Sequence, residues 1–182
     1  MPIIGITGNL GSGKTLIATF FAYSDWYSDK RMVYSNYKLS FPFSYLSIKV
    51  LKELFDKKNL KVADFIIDEM QIFMDSRNSG SERNKLMSYW VLQTRKRKVN
   101  LIYTTQFYGQ VDVRLRNATA TRVECVNFGT YENPDLEFTI SKRAEVGDEI
   151  FFVPVKRFRL SDPERFFELY DTDETIDPFM DK

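Results

Sequence analysis

The stretch Pro2-Ile3-Ile4-Gly5-Ile6-Thr7-Gly8-Asn9-Leu10-Gly11-Ser12-Gly13-Lys14-Thr15-Leu16-Ile17-Ala18-Thr19-Phe20 decides the fold. A short apolar strand runs straight into Gly8–Thr15, and an apolar helix start follows it. That is G-x-x-x-x-G-K-[ST] set between the strand and the helix that the motif requires. The glycines let backbone N–H groups wrap phosphate oxygens, and the helix N-terminus adds the positive end of its dipole. Gly8, Asn9, Leu10, Gly11, Ser12 and Gly13 therefore build an anion cradle. Lys14 brings a point charge to the β- and γ-phosphates, and the Thr15 hydroxyl is a ligand for Mg²⁺. The stretch implies a nucleoside triphosphate site.

Composition bounds what the nucleotide can drive. At 182 residues the chain suits one α/β domain with a real core, and hardly two. Its 16 Phe and 10 Tyr favour a well-packed sheet. The net charge is +1, so any nucleic-acid contact must come from a local patch and not from a global field. The single cysteine, Cys125, excludes an internal disulfide and sits in an apolar run as a core residue. There is no histidine, which removes imidazole bases and leaves carboxylate and phosphate chemistry with Mg²⁺. No apolar run approaches the roughly 18 to 20 residues needed to span a bilayer. The first residues look like a buried strand and not like a signal segment, so a soluble, cytoplasmic protein is expected.

Beyond the first helix (about 14–28), Arg31–Tyr37 reads as a second strand and Phe41-Pro42-Phe43 as its break. Residues 44–58 carry Leu46, Val50, Leu51, Leu54 and Phe55 on one helical face. Ala63–Glu69 is a third strand, apolar and then abruptly acidic. Residues 75–84 are polar with Gly and Ser, which suggests a mobile loop. A helix over 85–98 and a fourth strand over 99–104 follow. Strands alternating with helices indicate a parallel sheet covered on both faces. Three more strand-like runs, 121–128, 136–140 and 149–155, suggest an antiparallel extension of the same sheet. Asp162-Pro163 looks like the cap and first position of a short helix.

Asp68-Glu69 ends an apolar strand, the end at which open α/β sheets bind ligands. Behind a phosphate loop the first acid belongs to the magnesium shell, and the second can orient and polarise an attacking water. A water-orienting glutamate favours hydrolysis over transfer to a small acceptor. Thr104-Thr105-Gln106 caps the fourth strand level with the phosphates, where the Gln106 amide can meet a γ-phosphate. Arg95-Lys96-Arg97-Lys98 forms four consecutive cations, either a solvated helix end that complements the dipole or a phosphate-gripping patch.

These motifs together resemble the FtsK–HerA superfamily of DNA-pumping ATPases. The phosphate loop, the strand ending Asp68-Glu69, Arg95-Lys96 eleven residues before Gln106, and Val111–Ala118 carry the likeness. Within it the chain looks most like the zonular-occludens-toxin-like and viral packaging branch. Asp68-Glu69-Met70-Gln71-Ile72-Phe73, with Arg77 and Asn78, resembles that branch's Asp-Glu-Ala-Gln-aromatic run. Phe167-Glu168-Leu169-Tyr170-Asp171-Thr172 resembles its Tyr-Asp-Thr ending. The resemblance implies ATP as substrate, Gln106 as a γ-phosphate sensor and Arg95 as an arginine finger entering a neighbouring subunit's site. Thr94 and Lys98 stand where the family has glycines around its Arg-Lys pair, so Arg97, Arg114 and Arg116 remain finger candidates.

The expectation is an α/β P-loop NTPase with a RecA-like, mainly parallel sheet flanked by helices and a C-terminal antiparallel β extension. It is one ATPase domain over 1–182, with a nucleotide-binding core over 1–120 and the extension and a C-terminal helix over 121–182. The resemblance implies a ring that translocates DNA, with capsid or portal-like proteins as further partners. Arg83, Lys85, Lys96, Arg97 and Lys98 would grip backbone phosphates without reading sequence. A morphogenesis or secretion ATPase of the same fold is the alternative, and a small-molecule kinase a more distant one.

Overall fold

Eight strands form one sheet in the computed structural model, which describes residues 3–56, 62–73, 82–130, 132–147, 149–160 and 162–171. In chain order the elements are β1 (Ile3–Thr7), α1 (Lys14–Asp29), β2 (Met32–Ser35), β3 (Ser44–Tyr45), α2 (Ile48–Asp56), β4 (Ala63–Ile67) and α3 (Met70–Phe73). Then come α4 (Glu82–Arg97), β5 (Asn100–Thr105), α5 (Val113–Ala118), β6 (Thr121–Asn127), β7 (Leu136–Val146), β8 (Glu149–Leu160) and α6 (Glu164–Phe167). The strand order is β3-β2-β4-β5-β1-β6-β7-β8. Every pairing from β3 across to β6 is parallel, and β6·β7 and β7·β8 are antiparallel.

Alternation along the central strands feeds two cores. Ile3, Ala63, Phe65, Ile67, Leu101 and Tyr103 face one side, where Leu51 and Leu54 of α2, Met87, Trp90 and Val91 of α4 and Leu115 of α5 pack on them. Ile6, Ile66, Ile102 and Val123 face the other side, against Leu16, Ile17, Ala18 and Ala22 of α1. β4 and β5 are buried along their whole length, as parallel strands covered on both faces must be.

Several boundaries differ from the sequence expectation for local reasons. β6 lies parallel to β1 and continues the core sheet, so only β7 and β8 form the antiparallel part. Ser44 and Tyr45 pair with β2 and are not helical; α2 starts after Ser47, whose hydroxyl accepts the Val50 N–H at 3.2 Å. α4 already runs at Glu82, so residues 82–84 are not loop, and 74–81 lie outside the described residues. Asn84 is buried there, and its carbonyl takes the Ser88 hydroxyl at 2.6 Å. β7 and β8 run past the expected 136–140 and 149–155 as a two-stranded ribbon, whose far part exposes Val146, Ile150, Phe151 and Val153, while Glu137 lies opposite Arg159 in the part paired with β6. The register steps between Ile140 and Ser141 opposite Pro154, which an outermost strand tolerates because its N–H side needs no partner. At α6 the cap is Pro163, one residue later than expected, and Asp162 instead pairs with Arg165 at 2.8 Å.

Candidate nucleotide site

Gly8 to Gly13 turn the chain from β1 into α1. Gly8 passes so close to β6 that a Cβ would strike the Cys125 carbonyl and the Ser12 hydroxyl. Gly13 has φ 83°, a left-handed conformation, and a Cβ there would lie 2.8 Å from Leu136 Cδ1. It caps α1 without any side-chain hydrogen bond, which leaves the first-turn N–H groups for an anion. Lys14 is buried and folds over the loop, its Nζ donating to the Asn9 carbonyl at 2.9 Å. Ser12 Oγ is buried with no hydrogen-bond partner among the described residues, a donor suited to a phosphate oxygen.

Strand order brings the acids to this loop. β5 lies between β1 and β4, with Thr105 opposite Thr7 and Tyr103 opposite Ile67. Asp68 follows Ile67, and both of its carboxylate oxygens accept from Thr15 Oγ1 at 3.2 Å. The Thr104 hydroxyl also donates to Asp68 and accepts the Glu69 N–H at 3.0 Å. Asn36, just past β2, donates to the Asp68 carbonyl at 2.9 Å and accepts its N–H at 2.8 Å. Glu69 sits at φ 53°, half-buried, with the Gln71 amide donating to its carboxylate. Burial pushes the Asp68 carboxyl up to about 6, against the Thr104 hydrogen bond and with the Glu69 charge adding to the rise. A buried carboxylate beside a hydroxyl is a hard-oxygen donor pair of the kind Mg²⁺ takes, so the residues fit that ion.

Gln106 follows Thr105, half-buried at the end of β5 next to the loop. The basic residues lie elsewhere. Arg95, Lys96 and Arg97 are in the last turn of α4, with side chains outside the described residues, as is that of Arg83. Lys85 and Lys98 are exposed, and the Lys98 carbonyl accepts from Arg31 at 3.1 Å. α4 leads into the start of β5, while the phosphate loop meets its end. The six residues of β5 separate the two by roughly 17 Å. Arg114, in the first turn of α5, bonds back to Asp112 at 2.8 Å, and Arg116, in its last turn, to the Val111 carbonyl at 3.0 Å. Arg77, Asn78 and Thr172 lie outside the described residues.

Asn36 and Asn127 join the site without having been expected there, and Thr104, expected only as part of the polar cap of the fourth strand, holds Asp68. Asn127, at the end of β6, donates to the Gly11 carbonyl at 3.2 Å and so ties the β6–β7 turn to the loop. The polar residues at the ends of strands were the available signal. Their partners depend on strand order.

This sheet and loop define a P-loop NTPase fold, RecA-like and mainly parallel. Within that class the chain is similar to the N-terminal domain of zonular occludens toxin from Neisseria meningitidis. The TM-score is 0.62 at 20% identity, over 93% of this chain and 98% of that one. It is also similar to the DNA-packaging ATPase B204 from Sulfolobus turreted icosahedral virus, with TM-score 0.58 and 12% identity over 85% and 98% of the two chains. The genome packaging NTPase B204 of Sulfolobus turreted icosahedral virus 2, in complex with ATP-gammaS, gives TM-score 0.57 and 13% identity over 84% and 96%. At these identities the likeness is one of fold. No protein-family model matches the sequence, and no curated protein matches it. No helix among the described residues is long and apolar enough to cross a membrane.

Proposed function

We propose that the protein is an Mg²⁺-dependent ATPase that couples hydrolysis to DNA translocation, working as a homo-oligomeric ring in viral genome packaging. The observation that carries the reading is the convergence of Lys14, Thr15, Asp68, Glu69 and Gln106 on one end of the sheet, set by β5 lying between β1 and β4. In this reading the loop N–H groups and Lys14 bind the β- and γ-phosphates. Thr15 and Asp68 hold Mg²⁺, which when bound neutralises charge on those phosphates. Glu69 orients and polarises the attacking water, and the Gln106 amide distinguishes a γ-phosphate from its absence.

Position supports a finger acting between subunits. The end of α4 that carries Arg95 lies about the length of β5 from its own loop, which supports a role at a neighbour's site over one at its own. Arg83, Lys85 and the cations around Arg95 on that helix, with Lys98 just past it, supply backbone-phosphate contacts. The likeness in fold to a DNA-packaging ATPase favours this reading. The likeness to a zonular occludens toxin domain favours the second, a virion morphogenesis or secretion ATPase.

ATP turnover measured with and without DNA, beside light scattering, tests the proposal. Stimulation by DNA in a multimeric species supports the packaging motor. Turnover in a multimer that ignores DNA supports the second reading, and a monomer with full turnover removes the ring.

A further inference from the structure

The cleft above the phosphate loop has two chemically different parts. It measures about 380 Å³, within the range of small-molecule pockets. Ser12, Lys14, Thr15 and Glu69 line it beside the loop backbone, whereas Leu10, Pro134, Leu136, Phe167 and Tyr170 supply the rest. Leu10 is largely exposed at 78%, although it is a large apolar side chain in a polar loop. Phe167 and Tyr170 come from the C-terminal segment, far from the loop in sequence.

That segment is fixed in place. Leu169 accepts the Ser40 N–H at 2.9 Å, and the Asp171 N–H donates to Lys38 at 3.3 Å. Tyr170 meets Tyr37 edge-on at 6.2 Å, and Phe166 meets Phe20 of α1 edge-on at 5.4 Å. The Tyr37 hydroxyl bonds Thr19 at 2.7 Å, and Thr19 donates to the Thr15 carbonyl at 2.8 Å. A continuous chain of contacts therefore links Tyr170 to the residue that meets Asp68. Pro134 is held as well, because Asn127 Oδ1 accepts the Asp135 N–H at 3.0 Å while its amide holds Gly11.

We propose that Phe167 and Tyr170, with Leu10, Pro134 and Leu136, form a nucleobase subsite that grips purines by their faces, so that ATP and GTP are both substrates. The inference rests on the reading of the loop as a nucleoside triphosphate site. With the phosphates on the polar part, the base falls to the apolar part. Strong discrimination between bases needs buried polar groups that the wrong base leaves unpaired. Among the described residues of the apolar part, the only polar side-chain atom is the Tyr170 hydroxyl. Stacking on aromatic rings uses the π-face that every base has, and it grows with ring area. The subsite therefore favours purine over pyrimidine and separates adenine from guanine weakly.

Calorimetric titration with β,γ-methylene analogues of ATP, GTP and CTP, and with inorganic tripolyphosphate, tests this. The two purine analogues should bind within about threefold of each other, and the CTP analogue roughly tenfold more weakly. Phe167→Ala should weaken both purine analogues about 5- to 100-fold and leave tripolyphosphate within about twofold, and Phe167→Trp should restore them. Tyr170→Phe should leave the ATP-to-GTP ratio unchanged. A wild-type preference between the purines beyond about tenfold overturns the proposal. So does a ratio altered by Tyr170→Phe, or a Phe167→Ala loss shared equally by tripolyphosphate. Failure of wild type to bind tripolyphosphate, or a Lys14→Ala variant that binds it undiminished, overturns instead the reading of the loop on which the subsite rests.

Discussion

The Asn36 side chain and the Asp68 backbone form a reciprocal pair, with the amide donating to the Asp68 carbonyl at 2.9 Å and accepting its N–H at 2.8 Å. Asn36 follows directly on β2, which pairs with β4, so the turn presenting Asp68 and Glu69 is clamped from the side away from the loop. Thr104 of β5 clamps it from the other side. Glu69 depends on this, because its left-handed backbone is a strained conformation for a non-glycine residue.

Asn36→Ala should therefore destabilise the protein by about 1 to 3 kcal/mol, the cost of two backbone groups losing their partners. Turnover should fall more than ATP affinity does. Asn36→Asp, which keeps the acceptor and loses the donor, should fall between. Urea melts beside steady-state kinetics check both; an unchanged midpoint for Asn36→Ala would show that the pair does not hold the turn.

Lys14→Ala should remove ATP binding and hydrolysis together, whereas Glu69→Gln should keep ATP affinity and lower turnover by about 10²- to 10⁴-fold. The first variant takes charge from the phosphates and the second takes only the group that polarises water. Binding measured apart from turnover separates them. Wild-type turnover in Glu69→Gln assigns the water to another residue.

The phosphate loop was legible because its constraints are local: Gly8 and Gly13 occupy positions where any Cβ collides, and that shows as a motif. Asp68-Glu69 was legible as an apolar run turning acidic. The clamps were not, since Asn36 and Thr104 reach Asp68 only through the order β2-β4-β5, and no spacing encodes strand order. β3 escaped because two residues, Ser44 and Tyr45, are too few to show a period. The rest of β7, past Ile140, and the rest of β8, past Val155, escaped because Lys142, Arg143, Glu145, Lys156, Arg157 and Arg159 interrupt the apolar pattern that marks a strand. Phe167 and Tyr170 were visible as a motif, but their place beside the loop follows from the tether between Ser40 and Leu169.

A buried carboxyl at the far end of the sheet should make stability depend on pH. Asp64 is fully buried in β4, with Arg31 Nε at 2.6 Å and the Asp25 carboxyl of α1 against it. Asn100 of β5 donates to Asp25 at 3.1 Å. Burial, with the Asp25 charge adding to it and Arg31 opposing, pushes Asp64 up to about 7 from an ordinary 3.8. Between those values the folded state keeps a proton that the unfolded chain has released. This contribution is fully present below about pH 4 and is lost as pH rises through about 7. Asp64→Asn should flatten that decline in urea melts at about pH 4.5, 6 and 7.5, and Asp25→Asn should move it to lower pH. A slope in Asp64→Asn equal to that of wild type assigns the pH dependence to another group.

The finger assignment makes the most demanding prediction. α4 delivers Arg95 to the start of β5, and the phosphate loop lies at its end, roughly 17 Å away. An arginine that stabilises the transferring phosphoryl group contributes about 10³ to 10⁵ in rate. Arg95→Ala should therefore lose most turnover while keeping the fold and ATP affinity. At that distance an arginine side chain does not reach the chain's own phosphate site directly, so the mixing experiment decides where Arg95 acts. Mixing Arg95→Ala with Glu69→Gln, each inactive alone, should then recover activity, because some interfaces join an intact Glu69 to a neighbour's intact Arg95. The same mixture with Arg97→Ala in place of Arg95→Ala tells which cation enters. If neither mixture regains turnover, the basic end of α4 serves only DNA or its own helix dipole, and the trans-acting residue must be sought on α5, beginning with Arg114 and Arg116.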